Sequence, residues 1–150
     1  MPQSFSHVII HTVFSTKNRV PYLQDIDIRN ETFKFLGGVS KTLDCQPFLV
    51  GGHVDHVHLL TALSRTVSQA DFVKEIKRQS SIWFSEKWSL GEFSWQKGYG
   101  IFSVSESKVS DVKCYIEHQD AHHQTISFQD EYRKFLHTHN VPFDEKYVWD

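Results

Sequence analysis

Two histidines separated by one residue stand in the stretch Gly51-Gly52-His53-Val54-Asp55-His56-Val57-His58-Leu59-Leu60. Side chains alternate along a β-strand, so His56 and His58 project from one face while Val57 points to the other. Two imidazoles so placed form a clamp for one divalent ion. Asp55 falls on the opposite face and suits a cap, a turn hydrogen bond or the orienting of a neighbour; His53, at the turn, is ambiguous. Because the aspartate precedes the paired histidines, the string differs from the His-x-His-x-Asp-His pattern of two-metal hydrolases. A second group lies in Val112-Lys113-Cys114-Tyr115-Ile116-Glu117-His118-Gln119. On a helix Tyr115 and Gln119 are i and i+4, neighbours on one face beside the Val109/Val112/Ile116 stripe. A phenol and an amide are thereby presented together. Either group also has a plainer reading, as a satisfied histidine pair or as a tyrosine packed at the core edge.

The elements that must position these groups follow from the apolar pattern. His7 to Phe14 is β-branched and aromatic, a buried strand leading into the basic loop Ser15 to Arg19. From Asp25 to about Leu43, Ile28, Phe33, Leu36, Val39 and Leu43 recur at helical intervals despite Gly37-Gly38. Gln46 to Val50, a tight turn at Gly51-Gly52, and Val54 to Leu63 read as strand, turn, strand. Ser68 suits the N-cap of a helix from Gln69 to about Trp88, with Phe72, Ile76 and Trp83 apolar and Lys74, Lys77 and Arg78 elsewhere. Trp95 to Ser105 reads as an irregular strand, Glu106 to His122 as a helix, and Phe128 to His139 as a last short helix. The order β-α-β-β-α-β followed by helices predicts an α+β, ferredoxin-like split βαβ fold: an antiparallel sheet with helices on one face plus C-terminal helices. That architecture hosts many functions.

Composition narrows the classes. The chain has 150 residues, 39% hydrophobic and 14% aromatic, with 7 Gly and 4 Pro, which excludes disorder and low complexity and predicts one domain over residues 1–150. Cys45 and Cys114 form no Cys-x-x-Cys pair, so a disulfide framework or a cysteine zinc site is not expected, and a reducing cytoplasm fits. No apolar run approaches the ~18 residues that span a bilayer, so no membrane partner is expected. Net charge is −2. Bulk attraction to nucleic acid is thus excluded, but residues 1–110 carry a slight basic excess that the acidic residues of 111–150 outweigh. Lys17 and Arg19 after the first strand, and Lys74, Lys77 and Arg78 on the second helix, are the candidate contacts to a nucleic-acid backbone. Trp83, Phe84 and Trp88 read as core.

Taken together, Asp55-His56-Val57-His58-Leu59-Leu60, the block Trp95…Gly98-Tyr99-Gly100…Phe102-Ser103-Val104-Ser105, and Tyr115-Ile116…Gln119…His122-His123 resemble the small single-tyrosine HUH transposases of the insertion sequence 200/605 type. The resemblance runs from about His7 to Trp149. It implies that His56, His58 and Gln119 hold a divalent ion, Mg²⁺ or Mn²⁺, and that Tyr115 is the nucleophile. It further implies cutting and rejoining of single-stranded DNA at mobile-element ends through a 5′-phosphotyrosine, hairpin recognition, and a homodimer in which the tyrosine helix of one subunit can complete the histidine site of the other.

The chemistry agrees with that implication. A phenol with pKa near 10 is a weak nucleophile at neutral pH and needs help to attack a phosphodiester. An ion held by two imidazoles and an amide oxygen keeps positions open for phosphate oxygens. No phosphate-binding Gly-rich loop is present, so no nucleotide cofactor is expected. Two other readings stand beside this one: a noncatalytic ferredoxin-like nucleic-acid-binding module, and a domesticated relative acting on repetitive hairpins. A replication initiator is disfavoured by the absence of a helicase segment. On this reading His7, His11, His118, His122, His123, His137 and His139 are packing or surface residues.

Overall fold

A computed structural model describes residues 2–150. Four strands, β1 (Ile9–Ser15), β2 (Gln46–Gly52), β3 (His56–Ala62) and β4 (Gly100–Val104), form one sheet in the order β2-β3-β1-β4, with every neighbouring pair antiparallel. β1 and β2 are joined through α1 (Ile26–Thr42) with β3 between them, which is the split βαβ arrangement. The α+β, ferredoxin-like expectation therefore holds.

Alternation along the strands decides what each face of the sheet carries. Ile10 and Phe14 of β1 and Val57 and Leu59 of β3 join Leu36 and Val39 of α1 and Phe72, Val73 and Ile76 of α2 (Gln69–Lys87) in the larger core. The helix starts form where expected: Asp25 accepts from the N–H groups of Asp27 and Ile28, and Ser68 from that of Asp71. Phe84 closes this core, while Trp83 lies half-exposed at its edge, stacked on Phe35 at 4.4 Å between ring centroids.

On the other face, Ile9 and Leu60 pack with Ile116, and Val13 packs with Phe102, Phe128, Tyr132 and Leu136. These contacts dock α3 (Val109–Glu117), the single turn α4 (Gln119–His122) and α5 (Phe128–Thr138). The C-terminal helices thus cover the face that α1 and α2 leave open. His56 and His58 project into the layer beneath them.

Several boundaries differ from those read in the sequence. Strand β3 begins at His56 rather than Val54, because the chain turns at His53–Asp55 and Gly51-Gly52 stays in β2. The expected helix from Glu106 to His122 is divided: a 3₁₀ turn at Glu106–Lys108 precedes α3, and His118 leaves helical geometry at φ −104°, ψ 27°. The last strand shrinks to Gly100–Val104; Trp95 only bridges Thr16. Among the described residues no helix is long and apolar enough to cross a membrane.

Candidate active site

Strand β3 supplies the first two candidate ligating groups. His56 and His58 are both 0% exposed, and their rings are held from behind. The His56 Nδ1–H donates to Asp55 Oδ1 at 2.8 Å, and His58 Nδ1 meets His11 Nε2 at 2.8 Å. Of the roles open to Asp55, orienting a neighbour is the one it takes. A carboxylate on Nδ1 fixes the tautomer that turns Nε2 inward.

The helical cover supplies the rest. Gln119 is 1% exposed; its Oε1 lies 3.0 Å from His56 Nε2 and 2.9 Å from His123 Nε2. Asp120, next in sequence, fastens this turn: it accepts from the buried Arg29 guanidinium of α1 at 3.1 Å and from His53 Nδ1 at 2.6 Å. His53, ambiguous in the sequence, is thus a clamp on the turn that carries Gln119. The break at His118 does not part Tyr115 from Gln119, since both reach the same cluster.

At the centre lies a residue the sequence reading did not single out. Glu131 of α5 is 1% exposed, and its Oε1 lies 3.1 Å from His58 Nε2 and 3.5 Å from His56 Nε2. Its Oε2 accepts from Gln119 Nε2 at 3.2 Å and from the Tyr115 hydroxyl, and faces His122 and His123 Nε2 at 3.2 and 3.3 Å. One signal could have flagged it. The α5 sequence places an acid four residues after Ser127, on the face that Phe128, Tyr132 and Leu136 bury, and a buried carboxylate requires partners.

Burial and this carboxylate set the electrostatics. Burial opposes ionisation of Glu131, yet His123 and His58 outweigh it and hold the carboxyl far below the usual range. Burial pushes His58 down and His11 well below its ordinary value. Burial also works against charge on His123, but the Glu131 carboxylate prevails and raises it. Burial, then the Glu131 charge, raises the Tyr115 phenol above the ordinary tyrosine range. Without a cation the nucleophile candidate is therefore less acidic than free tyrosine.

The donor set fits a divalent ion. Ligand atoms of His56, His58 and Glu131 all lie within 4.8 Å of one another, and Gln119 Oε1 adjoins them. Beside Tyr115 opens a cavity of about 460 Å³ between β4, α3 and α5, walled by Phe102, Val104, Val112 and Phe135 with Lys134 at its lining. Such a space admits a chain that lies against the phenol.

The other expectations meet mixed outcomes. His11, His122 and His123, read as packing or surface residues, belong to the cluster: their roles depend on contacts across the sheet and between helices, which sequence spacing does not reveal. Lys77 is not free for a nucleic-acid backbone, because its ammonium donates to the carbonyls of Gln96, Lys97 and Gly98 at 2.6 to 3.2 Å. Burial pulls its pKa down to about 8. Arg78 is exposed but paired with Glu75 at 2.7 Å. Lys17 and Lys74 are exposed, and Arg19 lies 5.8 Å over the Trp149 ring.

Comparison with known proteins agrees with this geometry. No curated protein matches the chain. Among solved structures, a candidate transposase from Deinococcus radiodurans superposes with a TM-score of 0.62 at 22% identity, covering 79% of this chain and 96% of that one. A REP-associated tyrosine transposase bound to a REP hairpin superposes with a TM-score of 0.52 at 13% identity, covering 79% of this chain and 67% of the other. At these identities the likeness is one of fold. The family model described as "Transposase IS200 like" matches residues 4–119, most of the chain and all of the sheet, His56, His58, Tyr115 and Gln119 included: the chain belongs to the IS200-like transposase family.

Proposed function

We propose that this chain cuts and rejoins single-stranded DNA, with Tyr115 as nucleophile and a divalent ion held by His56, His58 and Gln119. The observation that carries this reading is the convergence, within one chain, of the Tyr115 hydroxyl and the paired imidazoles on a single buried cluster. A structural tyrosine would not need a cluster of histidines, an amide and a carboxylate beside it.

In the proposed reaction the Tyr115 oxygen attacks the scissile phosphorus and the P–O3′ bond breaks. The 3′-oxygen leaves and becomes a hydroxyl, and the phosphate remains as a 5′-phosphotyrosine. Glu131 Oε2 accepts the hydrogen bond of the Tyr115 hydroxyl and holds it in place, and His122 Nε2, 3.1 Å away, is the imidazole at hand to take the phenol proton. Attack by a 3′-hydroxyl on that phosphotyrosine restores the phenol, so joining requires no ATP. A bound Mg²⁺ or Mn²⁺ would polarise the phosphate and offset the charge that builds in the transition state. Asp55 and His11 keep the two imidazoles aimed at it.

The raised Tyr115 pKa supports a requirement for the ion, since the phenol in its metal-free setting is a poor nucleophile. The cavity beside Tyr115 gives the flanking nucleotide apolar and aromatic walls, which suit an unpaired base better than a stacked duplex. Hairpin recognition is proposed from the likeness to the hairpin-bound REP-associated transposase, and fits either a mobile element's ends or dispersed repetitive hairpins. Lys17, Arg19 and Lys74 are the proposed backbone contacts. A homodimer is compatible, but exchange of the tyrosine helix is not required when one chain already closes the site.

The test is an adduct assay with single-stranded oligonucleotides drawn from the flanking genomic DNA, with and without Mn²⁺. Wild-type protein forms a covalent adduct only with the ion, and Tyr115→Phe forms none while still retaining hairpin DNA. Retention without any wild-type adduct would instead identify a noncatalytic binding module.

A further inference from the structure

Several acceptors converge at the centre of the cluster. The far side of His56 is occupied by the Asp55 carboxylate, and that of His123 by the Ile126 carbonyl at 2.8 Å, so in their neutral forms both rings turn an Nε2 lone pair inward. The Gln119 amide is oriented by its own donor, which goes to Glu131 Oε2, leaving Oε1 against those lone pairs. Glu131 Oε1 is a further acceptor, 3.1 Å from His58 Nε2. Buried lone pairs facing one another are costly unless protons or a cation stand between them. Rings fastened from behind, with ligand atoms turned to a common point, are the arrangement that orients ligands on a metal.

Glu131 lies outside residues 4–119, the span that the family model matches. Its two oxygens face different partners: Oε1 the paired histidines, Oε2 the Tyr115 hydroxyl. Two imidazoles and one carboxylate with positions left open form a site suited to a transition-metal dication, whereas Mg²⁺ favours an all-oxygen shell and dehydrates reluctantly.

We propose that Glu131 is a protein ligand of the ion, binding through Oε1 beside His56, His58 and the Gln119 amide oxygen, and that the resulting site, with two imidazoles and a carboxylate among its ligands, takes Mn²⁺ in preference to Mg²⁺. The same carboxylate, through Oε2, positions the nucleophile next to the ion. This rests on the ion of the proposed function and not on its tyrosine chemistry.

The experiment is calorimetric titration of the metal-stripped full-length chain with MnCl₂ and with MgCl₂, in the absence of DNA. The expected result is one Mn²⁺ bound at least about tenfold more tightly than Mg²⁺, and a loss of Mn²⁺ affinity of about tenfold or more in Glu131→Gln, similar to His58→Ala. Exposed His137→Asn leaves the affinity unchanged. Cobalt(II) supplies the readout that a merely structural role would not move: the visible bands of the Co²⁺-loaded chain shift in Glu131→Gln, while thermal unfolding of that isosteric variant remains cooperative. Mn²⁺ affinity of Glu131→Gln within about twofold of wild type, or unshifted cobalt bands, would overturn the ligand assignment. Mg²⁺ binding as tight as Mn²⁺ would overturn the ion preference. Absence of DNA adducts with Mn²⁺ binding intact would refute the proposed function and leave Glu131 in place.

Discussion

The Tyr115 hydroxyl donates to Glu131 Oε2, so the nucleophile candidate is hydrogen-bonded to the most buried carboxylate of the cluster. An ionised neighbour opposes a second negative charge, and burial adds to the effect. In chelator, the Tyr115 phenol should therefore stay protonated at pH values where free tyrosine ionises. Absorbance titration of tyrosinate should give coincident curves for wild type and Tyr115→Phe, once scaled for unfolding. With Mn²⁺ bound, the cation neutralises Glu131 and stabilises the phenolate, and a wild-type-minus-mutant difference should emerge at lower pH. Coincident curves with the ion present would mean that it does not act on this phenol.

Assembly within one chain has a direct consequence for mixed proteins. If Tyr115 serves the histidines of its own chain, mixing Tyr115→Phe with His58→Ala should yield no adduct, because neither chain has both parts. Were the tyrosine helix exchanged between subunits, an equal mixture would regain up to about a quarter of wild-type activity, because half of the dimers are mixed and each mixed dimer has one intact site of two. Adduct yield against mixing ratio, on one hairpin-flanked oligonucleotide, separates the two arrangements.

Much of this arrangement was legible in the sequence, for reasons tied to period. The alternation His56-Val57-His58 needs only a strand to place both imidazoles together, and β3 provides it. Tyr115 and Gln119 were legible as a pair, although the helix joining them breaks at His118. Glu131, His123 and His11 were not. Each reaches the site across a gap in sequence, through the docking of α5, the turn at α4 and the pairing of β1 with β3; the period of α5 marks Glu131 as a buried acid, but no local pattern says which groups it meets. Lys77 misled for the converse reason: a lysine on the polar flank of a helix looks solvated until the carbonyls of residues 96–98 are placed around it.

Acid should destabilise the metal-free protein. His11 and His58 both have folded-state pKa values below the ordinary 6.5, so below that pH the unfolded chain takes up protons that the folded one refuses. Stability then falls as pH drops from about 7 toward the lowered values. His123 has the opposite sign: its raised pKa contributes stability below 6.5 that is lost as pH rises through the raised value. His122 is lowered by burial as well, so three lowered rings against one raised ring make the net slope acid-destabilising. Glu131, held far below 4.5, adds its own loss only at lower pH. Urea denaturation in chelator at pH 7.5 and 5.5 should show the lower midpoint at pH 5.5, and His11→Gln should lessen the difference. A midpoint that is flat or higher at pH 5.5 would contradict these shifts.

The glycine pair before the histidines has a different task from the tight turn its sequence suggests. Gly51 pairs with His58 in the sheet, and a Cβ built on it would stand 2.5 Å from Ile116 Cγ2 and 3.1 Å from the Ile116 carbonyl. The absent side chain is what lets α3 rest its backbone on β2, one residue from Tyr115. Gly52, at φ +153°, has the backbone of His56 in the space its Cβ would take, which brings the strand round to present the histidines. Gly51→Ala should force α3 outward, costing about 1–3 kcal/mol of stability by overpacking. Because Ile116 also anchors the smaller core with Ile9 and Leu60, the displacement should carry Tyr115 with it. Adduct formation by Gly51→Ala should drop more than tenfold, while Mn²⁺ affinity, to which the proposed ligands on β3 and α5 contribute independently of α3, changes far less. Pairing Gly51→Ala with Ile116→Ala removes the clashing Cγ2 and should restore part of the adduct yield. Double-mutant cycles of adduct rate and of urea midpoint measure both effects, and no recovery in the double variant would mean that the contact with Ile116 is not what positions the nucleophile.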